Sequence, residues 1–181
     1  MRTPAPPAPR YTAVARLLHW ATVLALILVG CLGLWLGWAP PQDEAFKLRL
    51  YNLHESVGLT ILPVTLLRLA WRLWHPPPPI APPLPPHFRR AAGATHAALY
   101  ALLLTMPVVG LMATNAWGFP LTAYGILPIP SPIGPDEALA PKLTALHGWM
   151  ALALGGLVAL HAAAALWHHI HRGDDTLRRM L

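Results

Sequence analysis

Four stretches of this chain stay apolar long enough to cross the hydrocarbon core of a bilayer, and that decides most of what it can fold into. A spanning helix needs about 20 mostly apolar residues. Such runs fall at about Leu17–Trp38, Leu53–Trp74, Ala91–Ala116 and Leu143–Trp167. Lipid supplies no hydrogen bonds, so a segment that crosses it must satisfy its own backbone, which a helix does. The composition agrees: 55% of residues are hydrophobic and 11% charged, where a soluble domain carries about 25% charged residues. The expected architecture is all-α, a transmembrane four-helix bundle, with residues 1–181 forming a single domain. The first run is too long for the apolar region of a signal peptide and lacks a convincing cleavage site, so it reads as a retained span.

The connections and charges set the topology. From His75 to Pro86 the chain is dominated by proline, which removes amide donors and cannot continue a helix. An extended polyproline connector is expected there. The segment Trp117–Pro141, rich in Gly and Pro, should be a loop at the opposite surface. Arg2, Arg10, Arg16, Arg68, Arg72, Arg89, Arg90, Arg172, Arg178 and Arg179 gather on the side of the termini. The other side has Lys47, Arg49 and Lys142, offset by Asp43, Glu44, Asp136 and Glu137. The positive-inside rule then puts both termini in the cytoplasm. Tryptophans mark the two interfaces, with Trp20, Trp71, Trp74 and Trp167 at one and Trp35, Trp38, Trp117 and Trp149 at the other. The net charge of +6 is spread over span ends rather than gathered into a patch, which excludes nucleic acid as a partner. Pro63 and Pro107 lie inside spans, where each should kink its helix. The single cysteine, Cys31, excludes a disulfide within the chain and any thiolate-rich metal site.

Ten histidines in so apolar a chain call for an explanation. Ionisable residues inside a membrane are costly and face the bundle interior in functional roles. His19, His54, His147 and His161 lie within spans, and His96 lies near the start of the third. His147 and His161 are fourteen residues apart, which returns to nearly the same helix face about 21 Å further along the axis. Two metal sites stacked across a membrane need this arrangement. Depth pairs His54 with His147 and His19 with His161, although His96 could take the place of His19, and Met112 or Met150 could supply a thioether. Two imidazoles on one haem iron leave no open position for oxygen, which favours electron transfer. No Cys-x-x-Cys-His occurs, so covalently attached haem is excluded. Gly30, Gly33, Gly58, Gly155 and Gly156 leave room for close approach between helices.

The stretches Arg16-Leu-Leu-His-Trp20, Leu53-His-Glu-Ser-Val-Gly58, His96-Ala-Ala-Leu-Tyr100, Met106-Pro-Val-Val-Gly110, Gly118-Phe-Pro with Tyr124-Gly125, and Leu160-His-Ala-Ala-Ala-Ala-Leu-Trp-His-His169, in this order and spacing, resemble the bacterial cytochrome b-561 family. These are small four-helix di-haem proteins of the inner membrane. The resemblance runs from about Tyr11 to Leu181. It implies two haem b groups, with ligands on His19, His54, His147 and His161 and His96 outside the ligand set. It also implies a link to the quinone pool, with ubiquinone as substrate and superoxide as a possible outer donor, and His168 is the position matching a histidine near the family's quinone.

Electron transfer between an outer-face donor and membrane quinone is therefore the expected function. Arg16, three residues before His19, could pair with a haem propionate, as could Arg68 and Arg72, unless these bind lipid headgroups instead. Lys47, Arg49 and Lys142 could steer a small anionic donor. Two rivals are a haem-bearing anchor subunit of a larger dehydrogenase and a haem-free metal transporter. The transporter reading suffers from the shortage of buried carboxylates, Glu55 being the only one close to a span.

Overall fold

The computed structural model describes residues 10–78 and 85–181. Most of the proline connector, residues 79–84, lies outside the described residues. Four long helices dominate: α1 (Ala13–Trp38), α2 (Glu44–Trp74), α3 (Pro86–Ala116) and α4 (Ala140–Trp167). All four are long and apolar enough to cross a membrane, and their large side chains, among them Leu24, Ile27, Leu66, Leu152 and Leu160, point outward in numbers only lipid would tolerate.

Each helix begins earlier than its apolar run, because backbone hydrogen bonding and capping, rather than hydropathy, set a helix start. Thr12 caps α1 by accepting from the Ala15 amide at 3.2 Å, and Asp43 caps α2 by accepting from Phe46 at 2.6 Å. Pro86 opens α3 at its first position, where a missing amide costs nothing. Asp136 collects the amides of Ala138 and Leu139 just ahead of α4. Lys47 and Arg49 thus belong to the first turns of α2 rather than to a loop.

The order is up and down, with α1 against α2, α2 against α3, and α3 against α4. Helix α4 runs along α3 and has at most marginal backbone contact with α1 and α2. A cluster at mid-depth, Ile61, Leu103 and Leu154 with Leu26 packed on it, joins the four helices there.

Two devices close the ends. At one end the loop after α3 carries a short antiparallel hairpin, β1 (Thr122–Ala123) with β2 (Leu127–Pro128). It is tied to α2 where the Asn52 side chain donates to the Thr122 carbonyl at 2.8 Å and the Tyr124 amide donates to Ser56 Oγ at 2.7 Å. At the other end α4 runs into a π-helical turn, His168–Arg172. The last residues then fold back on α1: Trp20 Nε1 donates to the Met180 carbonyl at 2.9 Å, and the Tyr11 amide to the Arg179 carbonyl at 3.2 Å.

Candidate functional site

The four helices share one spacing. His19, Leu26 and Gly33 recur every seven residues on α1, His54, Ile61 and Arg68 on α2, His96, Leu103 and Gly110 on α3, and His147, Leu154 and His161 on α4. Seven residues make nearly two turns, so each trio holds one face and climbs about 10 Å per step. Packed antiparallel, the trios form three layers. Leu26, Ile61, Leu103 and Leu154 are the mid-depth cluster already described. The layer nearer the hairpin holds Gly33, His54, Gly110 and His147, and the layer nearer the termini holds His19, Arg68, His96 and His161.

In the hairpin-end layer the His54 and His147 rings face each other with centroids 6.2 Å apart, inclined at 74°. His54 Nδ1 is 3.0 Å from the Val29 carbonyl; donating there leaves Nε2 pointing inward. His147 Nδ1 is buried without a hydrogen-bond partner, the Met106 carbonyl facing it short of a full bond. Glycine makes both placements possible. A Cβ on Gly33 would stand 3.0 Å from His54 Cε1, and one on Gly110 3.0 Å from His147 Cε1. Gly30, Gly155 and Gly156, by contrast, face open space, and Gly58 makes only ordinary contact with Val29.

In the terminal-end layer His19 and His161 have centroids 6.3 Å apart, inclined at 69°. An imidazole nitrogen sits about 2 Å from a metal and its ring centre about 1 Å beyond, so rings on opposite sides of one metal have centroids about 6.3 Å apart. Both facing pairs have this separation. His96 approaches His161 to 5.3 Å, about 1 Å too close to admit a metal between them. Arg68 contacts the His19 ring, Nη2 to Nδ1 at 3.1 Å.

The other sequence-derived positions lie as follows. Arg16 donates to the Leu181 carbonyl, so the folded-back terminus engages this side chain, and Arg68 is the arginine beside a histidine pair. His168 Nδ1 meets Asp174 Oδ2 at 2.6 Å, and Arg172 Nε lies 3.3 Å from the same oxygen. Burial alone would raise the Asp174 carboxyl, but hydrogen bonds from Thr176 and His168 outweigh it and hold the group below the ordinary carboxylate range. Lys47 is paired with Glu44 at 2.7 Å. Glu55 accepts a hydrogen bond from Thr114 at 2.8 Å. Among the described residues no three histidine, cysteine or acidic side chains converge on a single ion site; the arrangement is one of facing pairs, the donor set that a planar macrocycle with two axial positions takes. Sequence reasoning overlooked Asp174, quoted Gly110 only as part of a resembling stretch, and gave Gly33 no particular partner. The heptad spacing contained the signal for both glycines.

The profile of the family described as prokaryotic cytochrome b561 matches residues 10–181. Cytochrome b561 homolog 2 of Escherichia coli (strain K12) is 33% identical over 172 residues, covering 95% of this chain and 91% of that protein. Probable superoxide oxidase CybB of Yersinia pestis is 29% identical over 177 residues, covering 95% of this chain and 96% of that one. Cytochrome b561 homolog 1 of Escherichia coli (strain K12) is 29% identical over 174 residues, with 95% and 97% covered.

Proposed function

The chain belongs to the prokaryotic cytochrome b561 family of membrane electron-transfer proteins that carry b-type haem, and from that premise we propose that it holds two haems and passes electrons from a donor at the hairpin face to membrane quinone. The observation that carries this is the pair of facing imidazoles at each of two depths, 6.2 Å and 6.3 Å apart, each pair contributed by two different helices. In this reading His54 and His147 are the ligands of one haem and His19 and His161 of the other. When bound, haem iron with two imidazole ligands supplies reversible one-electron chemistry with little rearrangement.

The protein's own groups do the rest. The Val29 carbonyl fixes the tautomer and orientation of His54. The apolar layer of Leu26, Ile61, Leu103 and Leu154 keeps polar groups and water from between the two histidine pairs. The excess of arginine at the terminal end supports a reading with that end in the cytoplasm of a bacterial inner membrane and the hairpin facing outward. Superoxide as donor draws on the name of the Yersinia pestis relative. Lys47, Arg49 and Lys142 would attract such an anion, although the Glu44 partner of Lys47 weakens the field.

For the quinone, His168 is the candidate contact. Asp174, itself paired with Arg172, holds its ring through Nδ1, which leaves Nε2 for a quinone oxygen. The Asp174 carboxyl, held below its ordinary range, keeps this clamp charged at neutral pH and releases it only when pH falls through that lowered value. Asp174→Asn should lower the rate of quinone reduction about tenfold, as losing an orienting partner typically does, with haem content unchanged. Stopped-flow reduction of a soluble ubiquinone analogue measures this, and an unaltered rate would remove His168 from the quinone site.

The test of the whole reading is a haem count on purified protein with a reduced-minus-oxidised spectrum. Two haems per chain with a b-type band is the expected result. Haem-free protein would end the proposal.

A further inference from the structure

The two histidine pairs differ in what stands behind them. In the hairpin-end layer the remaining positions are Gly33 and Gly110, and His54 Nδ1 faces a backbone carbonyl. In the terminal-end layer Arg68 stands with its guanidinium 3.1 Å from His19 Nδ1. It is also close enough to act electrostatically on His161. Arg72 lies one turn further along α2, and the two line a small cleft of about 50 Å³ with Trp71, His75 and Tyr100. Neither arginine forms an ion pair with a carboxylate among the described residues. The chain's seven acidic residues lie elsewhere: five on the hairpin half, with Asp174 tied to His168 and Arg172 and Asp175 to Arg178. Two cations are thus gathered at a small, partly open cleft, with Arg68 beside an imidazole.

We propose that Arg68, backed by Arg72, sets the direction of electron flow by raising the reduction potential of the haem at His19 and His161 above that of the haem at His54 and His147. This rests on the di-haem reading above. Two effects act in the same sense. Gaining an electron removes one positive charge from the iron centre, so a nearby guanidinium favours the reduced form, and it also neutralises haem carboxylates that would oppose it. The second effect acts through the ligand. A carbonyl that accepts the Nδ1 proton makes a metal-bound imidazole more basic and favours the oxidised metal. His54 has such an acceptor in Val29; His19 has Arg68, which carries only donors. Glu55, the chain neighbour of His54 and hydrogen-bonded to Thr114, lowers that potential if charged and leaves it alone if neutral, so in neither state does it oppose the gradient. With haem held at both pairs, a single electron would pass from the site of His54 and His147 to that of His19 and His161, with no bond made or broken. Arg68 acts through its field and through His19 and is a positioning residue.

The experiment is a spectroelectrochemical titration of the purified holoprotein, wild type against Arg68→Gln and Arg68→Lys. His54→Ala, retaining only the terminal-end haem, identifies which wave belongs to which site. In wild type the terminal-end haem should have the higher potential. Arg68→Gln should lower that wave by about 59 mV or more, a tenfold shift in how an electron distributes between the haems, and leave the other wave in place. Arg68→Lys keeps the charge and should keep most of the potential. Should Arg68→Gln fail to retain haem, Arg72→Gln gives the same test with a smaller drop of the same sign. Unmoved potentials, or equal drops in the Gln and Lys variants, would overturn the role of charge at Arg68. Wild-type protein without haem would instead overturn the reading beneath it.

Discussion

Replacing His161 by alanine is expected to take one haem from the protein and leave one, and replacing His54 should do the same at the other site. The geometry requires this separability. His147 and His161 are fourteen residues apart on α4, about 21 Å along the axis, with the Ile61, Leu103 and Leu154 cluster between them. Neither histidine contacts the ring that the other faces. A haem-to-chain ratio falling from two to one in each single variant, and to none in the double, is the expected outcome. Electron delivery to quinone should drop by about a hundredfold or more in both, since a lost ligand outweighs the loss of an orienting partner. His96→Ala should keep both haems, because its ring is 5.3 Å from that of His161. If His96→Ala lost a haem and His19→Ala did not, the terminal-end pairing would have to be redrawn.

Gly110→Leu and Gly33→Leu should both weaken haem binding at the hairpin-end site while sparing the other. A Cβ at Gly110 would stand 3.0 Å from His147 Cε1 and 3.2 Å from its Nδ1, and one at Gly33 3.0 Å from His54 Cε1. The longer side chain must push each ring off its axis. Overpacking of this kind costs about 1–3 kcal/mol, which is about a 5- to 150-fold loss of affinity for whatever the rings hold. Gly155→Leu is the control, because nothing lies within 4 Å of a Cβ there, and it should retain two haems. Thermal release of haem followed by absorbance would rank the three. Equal retention in all of them would mean that ring placement does not depend on the glycines.

The sequence carried more of the site than its hydropathy did. The heptad trios that build the three layers are visible in the chain, yet the phase of one helix against another is not. Nearly every face of a lipid-exposed helix is apolar, so burial leaves little periodic trace. On α4 only Ala140 and Leu154 are buried, and no stripe tells which side turns toward α1. Depth could thus pair His161 with either His19 or His96, and the family resemblance had to choose between them. The structure adds a physical criterion, since 6.3 Å admits a metal and 5.3 Å does not.

Arg16 illustrates the same limit from the other side. Three residues before His19, it is well placed by sequence for a haem carboxylate, but the folded-back terminus engages it through the Leu181 carbonyl. Arg68, forty-nine residues from His19, is the cation that reaches the pair. Long-range contacts of this kind depend on helix packing, which no local pattern encodes.

By itself the sequence determined the solvent, the number of crossings, which ends lie together and the depth of each histidine, because hydropathy, charge bias and helical rise are local properties. Only the tertiary structure decided that His19 rather than His96 faces His161 at a separation that admits a metal, which glycines admit the rings, and that a guanidinium stands behind one pair and a carbonyl behind the other. Those outcomes depend on how four helices rotate about their own axes, and that rotation is settled by side chains meeting across the bundle.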